Sequence, residues 1–305
     1  MIKEIRAKTL VSRVSGTDST FGLDYSLNLY RGCQHRCIYC DSRSQCYGIE
    51  HFDHDVLIKV NAIELLKDEL SRKRKKGIIG TGSMNDPYMP LEEEVQLTRR
   101  TLETIAEQGF GVHVITKSDL VVRDIDVLRK ISRVSAAVSL TITTADDELS
   151  KKVEPGAPPS SVRFRAMQRL SKAGIKTRVA LMPTLPFIED SWENVSAIIE
   201  EAHRCEAKVI IPWFGMSMRD RQRAYYYHRL DESFPGLWDG TKLRSGKTTC
   251  VHHLMPRTCI AVRKGCARDW ESRPESSPCW LRRRKDSVCS IDTDCSQVGE
   301  TTELE

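Results

Sequence analysis

The sequence has no apolar run that approaches the ~20 residues needed to span a bilayer. Its first residues, Met1–Lys8, contain no long apolar segment of the kind that forms a signal peptide. Both absences lead us to expect a cytoplasmic protein without a membrane partner. The net charge of +5 is small for 305 residues, so charge alone indicates no particular binding partner.

The cysteines are unevenly distributed, and none lies between Cys46 and Cys205. Cys33, Cys37 and Cys40, in contrast, form a C-x3-C-x2-C run within eight residues. Clustered cysteines in a cytosolic protein indicate metal binding rather than disulfides. Three thiolates on one short loop can bind three irons of a [4Fe–4S] cube and leave the fourth without a protein ligand. An open coordination position is what catalytic metal centres use.

Two other interpretations of these cysteines remain open, namely disulfides or a zinc site completed by Cys46. Zinc sites usually combine two separated C-x2–4-C pairs. No second pair follows until far downstream. The spacing therefore favours an iron–sulfur cluster.

The cysteine run resembles the signature of the radical S-adenosylmethionine (SAM) superfamily, in which an aromatic residue, here Tyr39, precedes the last cysteine. The resemblance implies two cofactors, a [4Fe–4S] cluster and SAM chelated to its open iron. It also implies reductive cleavage of SAM to methionine and a 5′-deoxyadenosyl radical, which abstracts hydrogen from a substrate that the sequence does not identify. An electron donor such as flavodoxin or ferredoxin would be needed.

Strand and helix patterns alternate from about residue 22 to residue 213. The predicted strands cover residues 23–29, 78–83, 112–116, 137–142, 177–182 and 209–212. Six strands separated by five helices predict parallel pairing with right-handed crossovers, hence an α/β fold. The family resemblance implies the same architecture, a partial (β/α)6 barrel of the TIM type. Functional residues of such barrels lie at the C-terminal ends of the strands.

The chain divides into an N-terminal extension (1–21), a radical SAM core (22–237) and a tail (238–305). The tail is rich in Cys and Arg and has little periodicity. We interpret it as irregular, and as either disordered or not native to the protein because of a reading-frame shift. A second iron–sulfur domain is the alternative.

The SAM pocket is expected among the strand ends. After the second strand, glycine would allow the backbone of Gly82, Ser83 and Met84 to approach SAM closely, although a strand-to-loop turn would look the same. Ser139 and Thr141 share one strand face. The full predicted lining is Tyr39, Gly82, Ser83, Met84, Ser139, Thr141 and Arg163.

Arg163 is predicted to pair with the SAM carboxylate through charge-assisted bonds, and Lys117 is an alternative cation for that role. Either residue could equally be an ordinary solvated cation. The sequence therefore leaves the carboxylate's partner open between these two residues.

Residues 20–237, and especially the loop Glu154-Pro155-Gly156, resemble the spore photoproduct lyase-like or DNA-repair-photolyase-like branch. This resemblance implies a lyase or DNA-repair activity, so a nucleic-acid repair or modification enzyme is one alternative function. The lyase uses a hydrogen-donor cysteine downstream of the triad within the barrel, and this chain has no cysteine between Cys46 and Cys205, so we do not expect thymine-dimer lyase activity. A non-catalytic metal- or nucleic-acid-binding protein is the other alternative. The basic and aromatic stretch 219–229 fits either phosphate contacts with base stacking or an ordinary packing helix.

Overall fold

The computed structural model describes residues 1–16, 20–52, 55–237, 250–252 and 260–261. The strands are β1 Ile2–Ile5, β2 Val11–Arg13, β3 Tyr25–Leu27, β4 Tyr30–Arg31, β5 Val56–Lys59, β6 Ile78–Thr81, β7 Gly111–Thr116, β8 Ala136–Thr141, β9 Lys176–Thr184, β10 Val209–Ser217, β11 Cys250–His252 and β12 Ile260–Ala261. The helices are α1 Ala62–Ser71, α2 Glu92–Val95, α3 Leu97–Glu107, α4 Ile125–Ile131, α5 Asp147–Val153, α6 Ser160–Lys172, α7 Trp192–Arg204 and α8 Asp220–Ser233.

Six parallel strands form the centre of the molecule, in the order β3-β6-β7-β8-β9-β10. Helices connect each strand to the next, so the predicted alternation of six strands with helical crossovers is confirmed. Because these six strands are parallel and follow one another across the sheet in chain order, their C-terminal ends all lie at one edge. That edge is called the mouth below.

The two faces of the sheet differ in polarity. Val114, Val138 and Leu140 are fully buried and belong to the main apolar core with the helices. His113 and Ser139 alternate with these residues along β7 and β8, so they lie on the opposite, inner face. Polar residues on this face are unusual for parallel strands, which are commonly apolar on both sides.

The helical segment between Pro90 and Gly109 is interrupted at Gln96, which has a left-handed φ of 51° and separates α2 from α3. The interruption lets the buried carboxylate of Glu92 accept a hydrogen bond from the backbone N–H of Thr98, at 2.9 Å. Tertiary bonding thus overrides the continuous helical periodicity of this segment.

The polar residues that precede α4 and α7 have different roles. Asp124 does not cap α4; its carboxylate instead accepts hydrogen bonds from Tyr88 and Arg99, both at 3.0 Å. Ser191 caps α7, since its hydroxyl accepts from the backbone N–H of Asn194 at 3.2 Å.

Several elements were not predicted. A second sheet has the order β1-β5-β4, and α5 begins at Asp147 behind the capping side chain of Asp146. From the predicted extension, β2 pairs with β3, and from the predicted tail, β11 and β12 pair with β10. The other residues of the 238–305 segment lie outside the described part of the chain, and the domain boundaries at 21 and 237 stay predictions.

No helix within the described ranges is long and apolar enough to cross a membrane.

Candidate active site

The three clustered cysteines lie on the loop that follows β4 at the mouth. Cys33 and Cys37 are buried and Cys40 is half-buried, and all three are free thiols. Gly32 begins the loop with φ of 84°, and a Cβ there would lie 2.2 Å from the backbone oxygen of Asp55. Only glycine lets the loop pass β5 this closely.

The electrostatics of the loop fit a cationic metal cluster. Burial, together with the negative charges of Asp86 and Cys40, raises the pKa of Cys33 to about 12. Burial raises the pKa of Cys37 as well, with Cys33 and Cys40 among the opposing charges. Three thiols that lie close together, two of them buried and one half-buried, oppose one another's ionisation and need a cation to become thiolates. Irons of a cluster would supply that positive charge, and the backbone N–H groups of His35 and Asp86 already bond to the Cys33 sulfur.

No group of three His, Cys, Asp or Glu side chains converges on a single metal ion in the part of the chain that the structure describes. A one-ion site such as zinc therefore gains no geometric support. In a cube, each thiolate binds a different iron, so the sulfurs need not converge on one point.

His35 and Asp86 fasten the cysteine loop to the strand ends. The His35 ring lies 3.0 Å from the Gly156 carbonyl through Nδ1 and 3.1 Å from the Asp86 carboxylate through Nε2. Asp86 also accepts from the Thr116 hydroxyl and the Lys117 backbone N–H, both at 2.6 Å. Burial opposes its charge, yet the His35 ring and these donors hold the pKa of Asp86 well below its usual range.

A second buried network lies beneath Tyr39. Glu154, 1% exposed, accepts hydrogen bonds from the Tyr39 hydroxyl and the Arg163 guanidinium. Lys117 Nζ lies 3.9 Å from the same carboxylate. Although burial opposes ionisation, Arg163 and Lys117 lower the pKa of Glu154.

Arg163 does not present its guanidinium to the mouth as predicted. The side chain is completely buried, and it donates to the carbonyls of Pro158 at 2.7 Å and Thr141 at 2.9 Å as well as to Glu154. Its donors are thus engaged within the protein, and the geometry argues against direct carboxylate binding. Lys117 is 18% exposed, with Nζ 5.7 Å from the Tyr39 ring centroid, and is the better placed cation.

The Gly82-Ser83-Met84 segment follows β6 at the mouth, as predicted. Gly82 has φ of 90°, and a Cβ there would lie 2.0 Å from the Ile115 carbonyl oxygen. The close approach that requires glycine is therefore to β7 within the protein. Ser83 is exposed, and the Met84 carbonyl accepts from the Ser42 hydroxyl at 2.6 Å.

Ser139 and Thr141 share the inner face of β8, but at different depths. Ser139 is fully buried, and its hydroxyl lies 2.7 Å from His113 Nε2. Thr141 is the last residue of β8 and is 4% exposed, which places it closer to the mouth. Of these two residues, Thr141 therefore lies closer to the end of the barrel that carries the cysteine loop.

Two further groups at the mouth were not singled out from the sequence. Burial raises the pKa of Glu189 to about 8, although the Thr143 hydroxyl and the Leu185 backbone N–H donate to its carboxyl. Tyr226 is fully buried, and its hydroxyl has no hydrogen-bond partner among the residues that the structure describes. Tyr226 belongs to the same apolar cluster as Cys37. Only the three-dimensional packing of α8 against the loop identifies it.

The arginines at the start of α8 bind the segment after the cysteines. Arg221 donates to the carbonyls of Arg43 and Ile49, both at 2.5 Å, and Gln222 donates to the Tyr39 carbonyl at 3.1 Å. Asp220 accepts from the Ser44 hydroxyl at 3.0 Å. These contacts support the packing interpretation of residues 219–229 and not the phosphate-binding one.

A family model for the radical SAM superfamily matches residues 27–200. An uncharacterised protein of Methanocaldococcus jannaschii is 36% identical over 171 residues, which cover 55% of this chain and 63% of the relative. An uncharacterised protein of Mycobacterium tuberculosis is 26% identical over 241 residues, covering 77% of this chain and 70% of the relative.

Among solved structures, spore photoproduct lyase complexed with dinucleoside spore photoproduct has a TM-score of 0.60 at 15% identity. The match covers 79% of this chain and 69% of the lyase, and at this identity it establishes the fold alone. The family match and the fold together define an enzyme of the parallel β/α barrel class. The chain belongs to the radical SAM superfamily.

Proposed function

We propose that Cys33, Cys37 and Cys40 bind three irons of a [4Fe–4S] cluster and that SAM binds the fourth. The observation that carries this proposal is the set of three free thiols, two buried and one half-buried, on one loop at the mouth. When bound, the cluster and SAM supply the 5′-deoxyadenosyl radical. The protein supplies position and exclusion of water.

SAM would lie between the cysteine loop and the strand ends. Lys117 is placed to pair with its carboxylate, and the Ser83 and Met84 carbonyls to accept from its amino group. Thr141 and Tyr39 would line the pocket. Gly82, Ser139 and Arg163 then support it from behind, since each contacts a neighbouring strand, ring or carboxylate of the protein itself.

The substrate of the proposed enzyme is unidentified. The second candidate function is an enzyme that acts on a nucleic acid. The likeness to spore photoproduct lyase, which was solved with a dinucleoside, favours this candidate through the shared fold. Outside the triad, the two cysteines whose side chains the structure describes do not favour a lyase-type hydrogen donor. Cys46 lies beside Arg219, and the Cys205 thiol donates to the Phe164 carbonyl in the helix-side core. A protein that binds the cluster without catalysis is the remaining alternative.

Anaerobic reconstitution tests the ligand assignment. We expect wild type and Cys46→Ala to retain about four irons per chain, and Cys37→Ala to lose the cluster. Equal iron and sulfide content in Cys37→Ala and wild type would contradict the proposal.

A further inference from the structure

Three polar side chains form a row across the inner face of the sheet, deeper in the barrel than the groups at the mouth. His113 lies on β7, Ser139 on β8 and Arg178 on β9. Ser139 and Arg178 are paired in register, and His113 Nε2 lies 2.7 Å from the Ser139 hydroxyl. The Thr177 hydroxyl lies 2.8 Å from that of Ser171 on α6, so Thr177 faces the helices and the next residue, Arg178, faces the interior.

Arg178 differs from the other buried or half-buried arginines that the structure describes. It is half-buried, yet it makes no hydrogen bond or ion pair with any described residue. The others each have a polar or aromatic partner, and they are Arg31, Arg43, Arg99, Arg123, Arg163, Arg219, Arg223 and Arg229. A guanidinium carries five N–H donors, and a shielded charge without a partner is unfavourable. The donors of Arg178 are therefore available to a ligand.

The interior around Arg178 offers no negative charge of its own. The six parallel strands, β3 and β6 to β10, contain no Asp or Glu. At the mouth, the carboxyl groups of Glu154 and Glu189 are bonded to other residues. Ala137 and Ala180 on the inner face are buried, yet neither belongs to an apolar cluster of the described residues. This part of the interior is thus positively charged and is not packed as an apolar core.

We propose that this row of side chains binds an oxyanion, a carboxylate or a phosphate, carried by a small-molecule substrate, and that Arg178 determines this specificity. A guanidinium presents paired N–H donors whose geometry matches both kinds of oxyanion. The inference rests on the proposed function, because the substrate must also reach the radical formed at the mouth. The role is binding alone, and no bond is made or broken at Arg178.

The depth of Arg178 determines how the substrate lies. Ala180 pairs in register with Thr141, so Arg178 lies two residues, about 7 Å, below the level of Thr141. The oxyanion then points into the barrel, and the reacting C–H bond points toward the mouth. The proposed partner of the SAM carboxylate is Lys117 at the mouth, so SAM does not occupy the donors of Arg178.

The end of the barrel opposite the mouth is covered by the segment before β3. The Phe21 ring packs edge-on against His113 with 5.2 Å between the centroids, and the Phe21 carbonyl lies 3.4 Å from His113 Nδ1. Leu23 packs so closely on Gly80 of β6 that a Cβ there would lie 2.4 Å from it. A polymer therefore cannot run through the barrel from end to end. These contacts favour a small acidic molecule over a nucleic-acid strand.

The test uses anaerobically reconstituted protein with SAM present, titrated in a calorimeter with inorganic phosphate and, separately, with acetate. We expect wild type to bind one equivalent of at least one of these anions, and Arg178→Met to bind it about tenfold more weakly. The matched control is Arg165→Met, which removes an exposed arginine of α6 and should change affinity less than twofold. The anion that binds more tightly identifies the acidic group as a phosphate or a carboxylate.

A stability measurement separates ligand binding from a structural role. Because Arg178 has no bonding partner in the described part of the chain, Arg178→Met should unfold at the same urea concentration as wild type or a higher one. Arg163→Met, which leaves Glu154 without its guanidinium, should unfold at a lower one. A fall in the urea midpoint of Arg178→Met as large as that of Arg163→Met would overturn the proposal.

Three results of the titration would also overturn it, namely no binding of either anion by wild type, unchanged affinity in Arg178→Met, or an equal loss in Arg165→Met. Formation of 5′-deoxyadenosine with dithionite is measured separately. Its absence from wild type would contradict the proposed function, whereas the titration would still decide whether Arg178 binds an oxyanion.

Discussion

The pair of Glu154 and Arg163 gives the sharpest stability prediction. Neither side chain has more than 1% exposure, so water cannot replace the guanidinium when Arg163 is changed to Met. Removing one partner of a buried ion pair costs about 3–5 kcal/mol. Lys117, 3.9 Å from Glu154, compensates in part, so we expect a loss near the lower limit, about 3 kcal/mol. In a chain of this size, that loss lowers Tm by roughly 6–12 °C.

The assay is urea unfolding followed by circular dichroism on wild type, Arg163→Met and the matched control Arg165→Met. Arg165 is exposed on the same helix, so its substitution should stay within about 0.5 kcal/mol. Adding Glu154→Gln to Arg163→Met removes the orphaned charge, and the double variant should lose less than the sum of the two single changes. An Arg163→Met protein within about 1 kcal/mol of wild type would refute the account of this network.

Three further predictions concern other parts of the mouth. Burial raises the pKa of Glu189 to about 8 from 4.5, so the folded group holds a proton that the unfolded group has lost. The free energy of unfolding should therefore fall as pH rises from 4.5 to 8. In chemical unfolding, Glu189→Gln should abolish this dependence on pH, whereas the control Glu201→Gln should keep it. An unchanged dependence in Glu189→Gln would contradict the assignment. Arg221→Ala should release iron to a chelator several times faster than wild type, whereas equal rates in Arg221→Ala and wild type would show that α8 does not hold the loop. Gly82→Val should lower both iron content and SAM affinity, because any Cβ at this position clashes with the backbone of β7. A loss of SAM affinity with normal iron content would indicate instead that the ligand, and not β7, lies against this glycine.

The barrel could be predicted because its signals are local. Each parallel strand is an apolar run such as 112–116 bounded by a helix signal, and Cys33, Cys37 and Cys40 are close in sequence. The extra sheet β1-β5-β4 could not be predicted, since its strands are short and pair over long separations.

The charged part of the site could not be predicted for a different reason. Tyr39 and Glu154 are 115 residues apart, and His35 and Gly156 are 121 apart. Arg163 stands on a helix beside exposed residues, and periodicity alone cannot distinguish a buried arginine from a solvated one. Burial of such groups depends on partners from other segments, so the network becomes visible only when the loop is packed against α5 and α6.

The most direct test of the central claim is the amount of 5′-deoxyadenosine formed when reconstituted protein is mixed with SAM and dithionite without oxygen. The account predicts at least one 5′-deoxyadenosine per cluster from wild type and Cys46→Ala, and none above background from Cys37→Ala. Formation of 5′-deoxyadenosine by Cys37→Ala at the wild-type level, or its absence from wild type with a full complement of iron, would contradict it.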